Sequence, residues 1–322
     1  MSRLTLRNIE IFIAAIEEGS VAAAARRLST SPSSISQHLS NLEEDLGTTL
    51  IDRTKRPLAL TPAGVLFRRR AANILNEATR ARAELAAADY TTLTHLSLAV
   101  IDDFEPDVTP ALMASLAAEM PDCHIVLQTG ASHANLAALE SRSVDMCIAA
   151  EPDRPESWME IYPLLNEPFV LLAPTGIVNP SKPALPQLLS KPFIRFPRSQ
   201  VVGRMIEARL TAEHITLPQK FEIDSYQSIM AMVAQGTGWA ITPPMCYLRA
   251  QRFQPDVDIL PLPFEGLARR ISLFARKDTL DKMPSGIAAR LTTLIDDALI
   301  KPTTASHPWL KDGFRRLTGL TP

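Results

Sequence analysis

A chain of 322 residues with 46% hydrophobic and 21% charged side chains is long enough to bury two or three cores. Its 33 basic and 35 acidic residues leave a formal charge of −2, which excludes a global basic field. Any contact with nucleic acid must then rest on local placement of charge and hydrogen-bond donors. Cys123, Cys147 and Cys246 are odd in number and far apart, with neither a CxxC nor a metal-ligand spacing, so they fit a reducing cytosol better than a disulfide framework. The start MSRLTLRNIEIF reads as neither a signal peptide nor an anchor. Apolar runs such as PFVLLAP are too short to span a bilayer.

Leu6, Ile9, Ile13 and Ile16 step by three and four, which predicts an apolar stripe on a helix ending near Gly19. Ser20 is placed to cap a second, alanine-rich helix over Val21 to Leu28. Ser29-Thr30-Ser31 breaks that pattern, and Pro32 suits the first turn of a third helix, where no N–H is needed. On this third helix Ile35, Leu39, Leu42 and Leu46 share one face. At roughly 100° per residue, Ser33, Ser36, Gln37 and Ser40 fall opposite them. That face is short-chained and uncharged, so it can approach phosphates and base edges without a carboxylate repelling them. Ser31 and Ser34 at the helix start join the candidate set, and His38 lies at its edge. Glu43, Glu44 and Asp45 sit at the far end, outside a groove entered by the helix N-terminus. Taken alone, the same pattern also fits a small helical bundle with a solvated serine face. Leu50 to Leu60 then reads as two short strands around a basic turn, with Arg53, Lys55 and Arg56 placed to meet a sugar–phosphate backbone. An ordinary exposed basic loop is the other reading.

Five ordered motifs occur here: Gly19-Ser20-Val21-Ala22-Ala23-Ala24-Ala25-Arg26-Arg27-Leu28, Ser34-Ile35-Ser36, Leu42-Glu43-Glu44-Asp45-Leu46-Gly47, Leu50-Ile51-Asp52-Arg53 and Leu60-Thr61-Pro62-Ala63-Gly64. In order and spacing they resemble the LysR-type transcriptional regulators. The resemblance implies a winged helix-turn-helix, a long dimerising linker helix and a two-lobed effector region like a type 2 periplasmic binding protein, with ligand between the lobes. One departure stands out. The family usually carries Gln-Pro at the start of its recognition helix, and here those places hold Pro32 and Ser33. Base contacts would then fall to Ser33, Ser34, Ser36, Gln37 or His38.

From Pro62 to past Ala88 there is no further proline, and Leu66, Ile74, Leu75, Ala78, Ala81 and Leu85 support one long helix. Arg68-Arg69-Arg70 covers most of a turn and reads as solvated rather than as a phosphate grip. Strands are expected at Leu96 to Ile101, His124 to Gln128, Val144 to Ala149, Pro168 to Pro174, Ile194 to Phe196 and Ile271 to Ala275. Intervening helices at Thr109 to Met120, Asn135 to Ser141, Val201 to Ala212 and Gln227 to Gln235 argue for a parallel α/β sheet. The fold class expected is α/β with an N-terminal winged helix-turn-helix. Its parts are a DNA-binding domain at 4–61, a linker helix at 62–92, and an effector domain at 93–300 with a C-terminal extension at 301–322. Lobe I takes about 93–165 and 265–300, and lobe II about 166–264. The extension carries Trp309, Phe314, Arg315 and Arg316, and reads either as a docked helix or as a mobile tail.

Ligands of parallel α/β lobes bind beyond the C-terminal ends of strands. That rule selects Asp102, Asp103 and Phe104, then Ser199 and Gln200, Ser225 and Tyr226, and Thr242. Acids beside an aromatic suit a cationic or polyhydroxyl ligand, or they cap the next helix. Arg195 and Arg198 would suit an anion, so ligand charge stays open at this point. No GxSxG, HExxH, phosphate loop or dinucleotide fingerprint marks an enzyme. The six histidines form no metal-spaced pair, and no cofactor or metal is expected. A ligand-responsive regulator therefore stands ahead of an enzyme or a solute-binding protein. Its expected partners are operator DNA, a small effector and copies of itself, with no membrane.

Overall fold

The computed structural model describes residues 4–86, 93, 95–277 and 279–317. The chain divides into two compact units. One comprises Met1–His95, Asp122–His124 and Glu140–Ser143, and the other Leu96–Pro121, Ile125–Leu139 and Val144–Pro322.

The N-terminal unit starts with three helices, α1 (Leu6–Glu17), α2 (Val21–Arg27) and α3 (Pro32–Leu46). Each begins on a hydroxyl cap: Thr5, Ser20 and Ser31 accept from the amides of Asn8, Ala23 and Ser34. These bonds satisfy donors that a helix start leaves free. Pro32 holds the first turn of α3, and Gly47, at φ 64°, closes it in the left-handed region. Ile35, Leu39 and Leu42 are fully buried as expected, but Leu46, in the last turn, is left 36% exposed. The stripe expected on α1 is also revised. Ile9, Ile11, Phe12, Ala14 and Ala15 are buried, Ile13 and Ile16 only partly, and Leu6 is 38% exposed. Packing on several sides makes the buried face wider than a single i, i+3, i+4 stripe. Phe67 of the next helix meets Phe12 edge-on, with ring centroids 5.2 Å apart.

Strands β1 (Ile51–Asp52) and β2 (Ala59–Leu60) pair antiparallel around the basic turn. The long helix α4 (Pro62–Ala86) follows directly. Gly64 is required there, because a Cβ would lie 2.0 Å from the Leu50 carbonyl oxygen. Residues 87–92, where the linker was expected to end, lie outside those described. Arg68 and Arg70 are exposed; the side chain of Arg69 is outside the described set. Val65 and Leu66 are each 61% exposed.

The second unit is built on a six-stranded sheet. Its elements in chain order begin with β3 (His95–Ile101), α5 (Val108–Glu119), β4 (His124–Gly130), α6 (Ser132–Glu140), β5 (Met146–Ala150), β6 (Met159–Pro168) and β7 (Val170–Pro174). There follow α7 (Ala184–Leu188), β8 (Phe193–Arg195), α8 (Val201–Ala212), β9 (Gln219–Glu222), α9 (Tyr226–Ala234), β10 (Ala240–Thr242) and α10 (Pro244–Arg249). Then come β11 (Val257–Leu260), β12 (Ala268–Arg276), α11 (Met283–Ile295), a π-helical turn, α12 (Lys301–Ser306) and β13 (Arg315–Arg316).

The sheet order is β13-β6-β12-β5-β3-β4. β3 and β5 are parallel, whereas β12 runs antiparallel to both β5 and β6, so the sheet is mixed rather than parallel. β6 was not anticipated from the sequence. Its run contains Pro163 and ends at Pro168, and proline normally argues against a central strand. The structure accommodates Pro163 at an irregularity in register between Ile271 and Ser272 of β12. β6 and β12 carry the chain to and from a second lobe, which holds the antiparallel sheet β10-β7-β11 and the parallel pair β8-β9. Trp239, fully buried, joins them through a bridge to Phe193.

The C-terminal extension is docked as far as it is described. Leu310 and Phe314 are buried, and Arg315 and Arg316 pair with Asn166 and Leu165 of β6. The Asn166 amide donates to the Gly313 carbonyl at 2.7 Å, and the Leu317 N–H to Leu164 at 2.9 Å. Of the two readings of this segment, docking holds for residues 301–317; residues 318–322 lie outside those described.

Candidate ligand cavity and nucleic-acid interface

On the N-terminal unit, α3 presents its polar face as the sequence pattern requires. Ser33, Gln37 and Ser40 are exposed and Ser34 and Ser36 half-buried. Two internal bonds hold these side chains: Ser31 Oγ lies 2.9 Å from Ser33 Oγ, and the Gln37 amide donates to Asn41 Oδ1 at 2.8 Å. His38 is committed to the core edge instead, with Nδ1 2.8 Å from Asn8 Oδ1 on α1. Lys55 and Arg56 stand exposed on the turn, and Arg56 donates weakly to the carbonyls of Arg53 and Lys55. Arg53 is exposed too, but its guanidinium binds Glu43 Oε2 at 2.7 Å and Ser40 Oγ at 3.3 Å. Glu43 therefore does not simply trail away from the interface. Its Oε1 accepts from the amides of Leu50 and Ile51, pinning the turn's first strand to α3. Asp52 accepts from the Thr54 hydroxyl and amide, and these bonds hold its carboxyl below the usual range.

In the second unit a cavity of about 240 Å³ opens where β3, β4 and β5 end, facing the starts of α6, α8 and α9. Five of the residues selected from sequence line it: Asp102, Asp103, Gln200, Ser225 and Tyr226. Four do not. Phe104 is fully buried in the turn below. Arg195 is 11% exposed and lies between Glu207, at 3.2 Å, and Glu222, at 3.7 Å. Arg198 also binds Glu207, so neither arginine faces the cavity. The Ser199 carbonyl accepts from Arg204 at 3.0 Å, and Thr242 is buried within its own strand. Tertiary packing takes the two arginines into ion pairs and Phe104 and Thr242 into the core, while Ser199 stays exposed outside the cavity lining.

What sequence reasoning missed is the charged centre. Arg269, on β12 and 4% exposed, donates from Nε to Glu167 Oε2 and from Nη2 to Asp103 Oδ2, both at 2.7 Å. The second Glu167 oxygen accepts from the Met245 N–H at 3.0 Å. Burial pushes the Glu167 carboxyl up to about 7, with Arg269 pulling the other way. Burial also opposes the charge of Arg269, but Glu167 and Asp103 outweigh it and hold the guanidinium firmly protonated. Arg249, at the end of α10, lies 3.6 Å from both Asp103 and Glu105. Burial raises the Asp102 carboxyl against the pull of Arg249. Ser132 Oγ accepts from the Ala150 N–H, tying α6 to β5 beside the cavity. The only sequence signals for Arg269 and Arg249 are charges in otherwise apolar or strand-like runs, which carry no partner information.

The family model described as LysR substrate binding domain matches residues 91–285, more than half of the chain. A second, described as bacterial regulatory helix-turn-helix protein, lysR family, matches residues 6–65. The chain belongs to the LysR family. The HTH-type transcriptional regulator ClcR of Pseudomonas putida is 26% identical over 249 residues, spanning 74% of this chain and 83% of that relative. The transcriptional dual regulator OxyR of Escherichia coli K12 is 25% identical over 309 residues, 92% of this chain and 99% of its own. A full-length OxyR variant from Pseudomonas aeruginosa has the same fold, with a TM-score of 0.64 at 21% identity over 93% of this chain and 97% of that one. Within this LysR chain the 6–65 match includes the polar-faced α3, and the 91–285 match covers the cavity-bearing lobes.

Proposed function

We propose that this LysR-family chain is a transcription regulator that binds operator DNA through α3 and its basic turn, and whose activity responds to a small molecule held in the 240 Å³ cavity. The observation that carries the reading is the joining, in one chain, of a helix-turn-helix with an uncharged polar face to a separate two-lobed unit with a charged, lined cavity. On this reading Ser33, Ser34, Ser36, Gln37 and Ser40 meet the DNA, with Ser31 at the helix cap. Lys55 and Arg56 approach phosphates, Arg53 does so only in part, and His38 serves the core. The domain limits set out from the sequence, 4–61, 62–92, 93–300 and 301–322, describe the working parts. Copies of the chain pair through the linker helix and effector lobes, in the cytoplasm.

The enzyme alternative needs a group tuned toward reactivity. Near the cavity burial pushes the Tyr226 phenol and the Cys246 thiol up, away from ionisation, and Glu167, raised to about 7, is fully buried with both oxygens spent on Arg269 and the Met245 amide.

The test is a gel shift of the purified protein on the intergenic DNA beside its own gene, at two salt concentrations. A specific shift that weakens with salt is expected, because phosphate contacts release counterions. A folded, oligomeric protein that shifts neither this DNA nor a genomic fragment library would refute the regulator reading.

A further inference from the structure

The polar face of α3 is defined by what it omits. Between Pro32 and Leu46 the helix carries no Lys or Arg. Guanine offers the major groove two acceptors, O6 and N7, and a bidentate grip on it needs two donors from Arg or Lys. The guanidinium beside the face, that of Arg53, is held by Glu43 Oε2 at 2.7 Å and Ser40 Oγ at 3.3 Å. Other members of the face are engaged as well. Ser31 Oγ accepts from the Ser34 N–H and lies 2.9 Å from Ser33 Oγ, and His38 is turned to Asn8. Gln37, in the second turn, is exposed and differs from all of these. Its amide has two N–H donors and one carbonyl acceptor. One N–H is donated at 2.8 Å to Oδ1 of Asn41, half-buried one turn further on. The carbonyl oxygen and the second N–H remain as one acceptor–donor edge.

We infer that Gln37 reads an adenine in the major groove, held for that contact by Asn41, so that the operator carries an A·T pair where the second turn of α3 enters. Adenine presents a donor, its N6 amino group, beside an acceptor, N7, and this is the complement of the Gln37 edge. Guanine would set a second acceptor, O6, against the Gln37 carbonyl oxygen. Thymine O4 and the cytosine amino group each match only half of the edge. The helix geometry agrees. Recognition helices meet base edges with their N-terminal turns, and burial of Ile35, Leu39 and Leu42 on the opposite stripe leaves Gln37 facing outward. Asn41 acts through Gln37 rather than on the base. A free glutamine loses rotamer freedom on binding, and the i, i+4 bond removes part of that loss beforehand. Asn41 is thus a positioning residue, and it lies outside the candidate set drawn from the sequence. The inference rests on the reading of α3 as the element that meets DNA.

The test selects binding sites for the full-length protein from a pool of random duplexes, in parallel for the wild type, Gln37→Arg and Asn41→Ala, each with unaltered far-UV circular dichroism. The wild-type site should contain an A·T pair whose replacement by G·C weakens binding about ten-fold. Gln37→Arg, which offers two donors, should convert that pair to G·C and leave the other positions alone. Asn41→Ala should lower the preference for A·T over G·C at that pair. Its non-specific affinity and salt dependence should stay those of the wild type, which a merely structural loss would not spare. An adenine analogue with carbon in place of N7, set at the pair, should weaken the wild type and make no difference to Gln37→Ala. Selected sites that Gln37→Arg leaves unchanged, or tolerance of that analogue by the wild type, overturn the adenine contact while the regulator reading stands. An unchanged preference in Asn41→Ala overturns the positioning role. A wild-type protein that enriches no sequence at all overturns the inference and the regulator reading together.

Discussion

The polar face of α3 and the charged centre of the cavity are both built from ordinary polar residues, yet they are assembled in opposite ways. The face is local. Ser31, Ser33, Gln37 and Asn41 bond to one another two to four positions apart. The centre is non-local: Arg269 reaches 102 positions back to Glu167 and 166 back to Asp103. The face is solvated and loses little if one member goes, whereas each member of the buried centre depends on the others remaining. The difference teaches where each kind of substitution will be felt, in binding for the first and in stability for the second.

The largest effect that would sharpen this contrast is expected at Arg269. Arg269→Ala strands Asp103 and Glu167 in the core, and breaking such a pair costs about 3–5 kcal/mol. Urea melts should show the loss in the cavity-bearing unit while the helix-turn-helix keeps its own transition. Equal loss in both transitions would break the comparison. Next is Gly64→Ala, which drives a Cβ to 2.0 Å from the Leu50 carbonyl. Overpacking of that kind costs about 1–3 kcal/mol, and the lower transition should be that of the N-terminal unit. An unshifted melt would mean that α4 can move away from β1 at no cost.

Smaller in stability, but decisive for function, is the double change Ser36→Ala with Gln37→Ala. It should leave the melt within about 0.5 kcal/mol, as exposed substitutions do. Operator affinity should drop at least ten-fold, since a base contact is worth about 1–3 kcal/mol. Unchanged affinity by gel shift would remove α3 from the interface. The smallest effect concerns Asp102, whose carboxyl burial raises above its ordinary value. Because the folded state holds this proton more tightly than the unfolded chain, the site's contribution is fully present below the unfolded pKa and is lost as pH rises through the folded one. Asp102→Asn should therefore raise the Tm of the unliganded protein slightly at pH 7, with the gain shrinking toward pH 3. A gain that grows on acidification would reverse the assignment.

Much of the helix-turn-helix was legible because its signals are short-range. Ser20, Ser31 and Pro32 sit at helix starts for reasons contained in their own turn, and Ile35, Leu39 and Leu42 declare their face by spacing. The bonds of His38 to Asn8 and of Arg53 to Glu43 were not legible, because the partners lie on other elements. In the effector unit the strand ends led to Asp102, Asp103, Gln200, Ser225 and Tyr226, since a strand's direction fixes where its following loop emerges. The same rule also selected Phe104 and Thr242, which packing then withdrew into the core. β6 was hidden by its prolines, which a register irregularity against β12 accommodates.

By itself, then, the sequence determined where helices begin and which faces are apolar, properties that follow from periodicity and capping within a few residues. That the first three helices form a helix-turn-helix came from the ordered motifs that resemble the LysR family. Only the tertiary structure decided that Arg269 neutralises Asp103, that Arg249 sits between Asp103 and Glu105, and that the C-terminal strand seals the edge of β6. Those are pairings across a hundred or more residues, and their partners are chosen by burial, which no local pattern of side chains encodes.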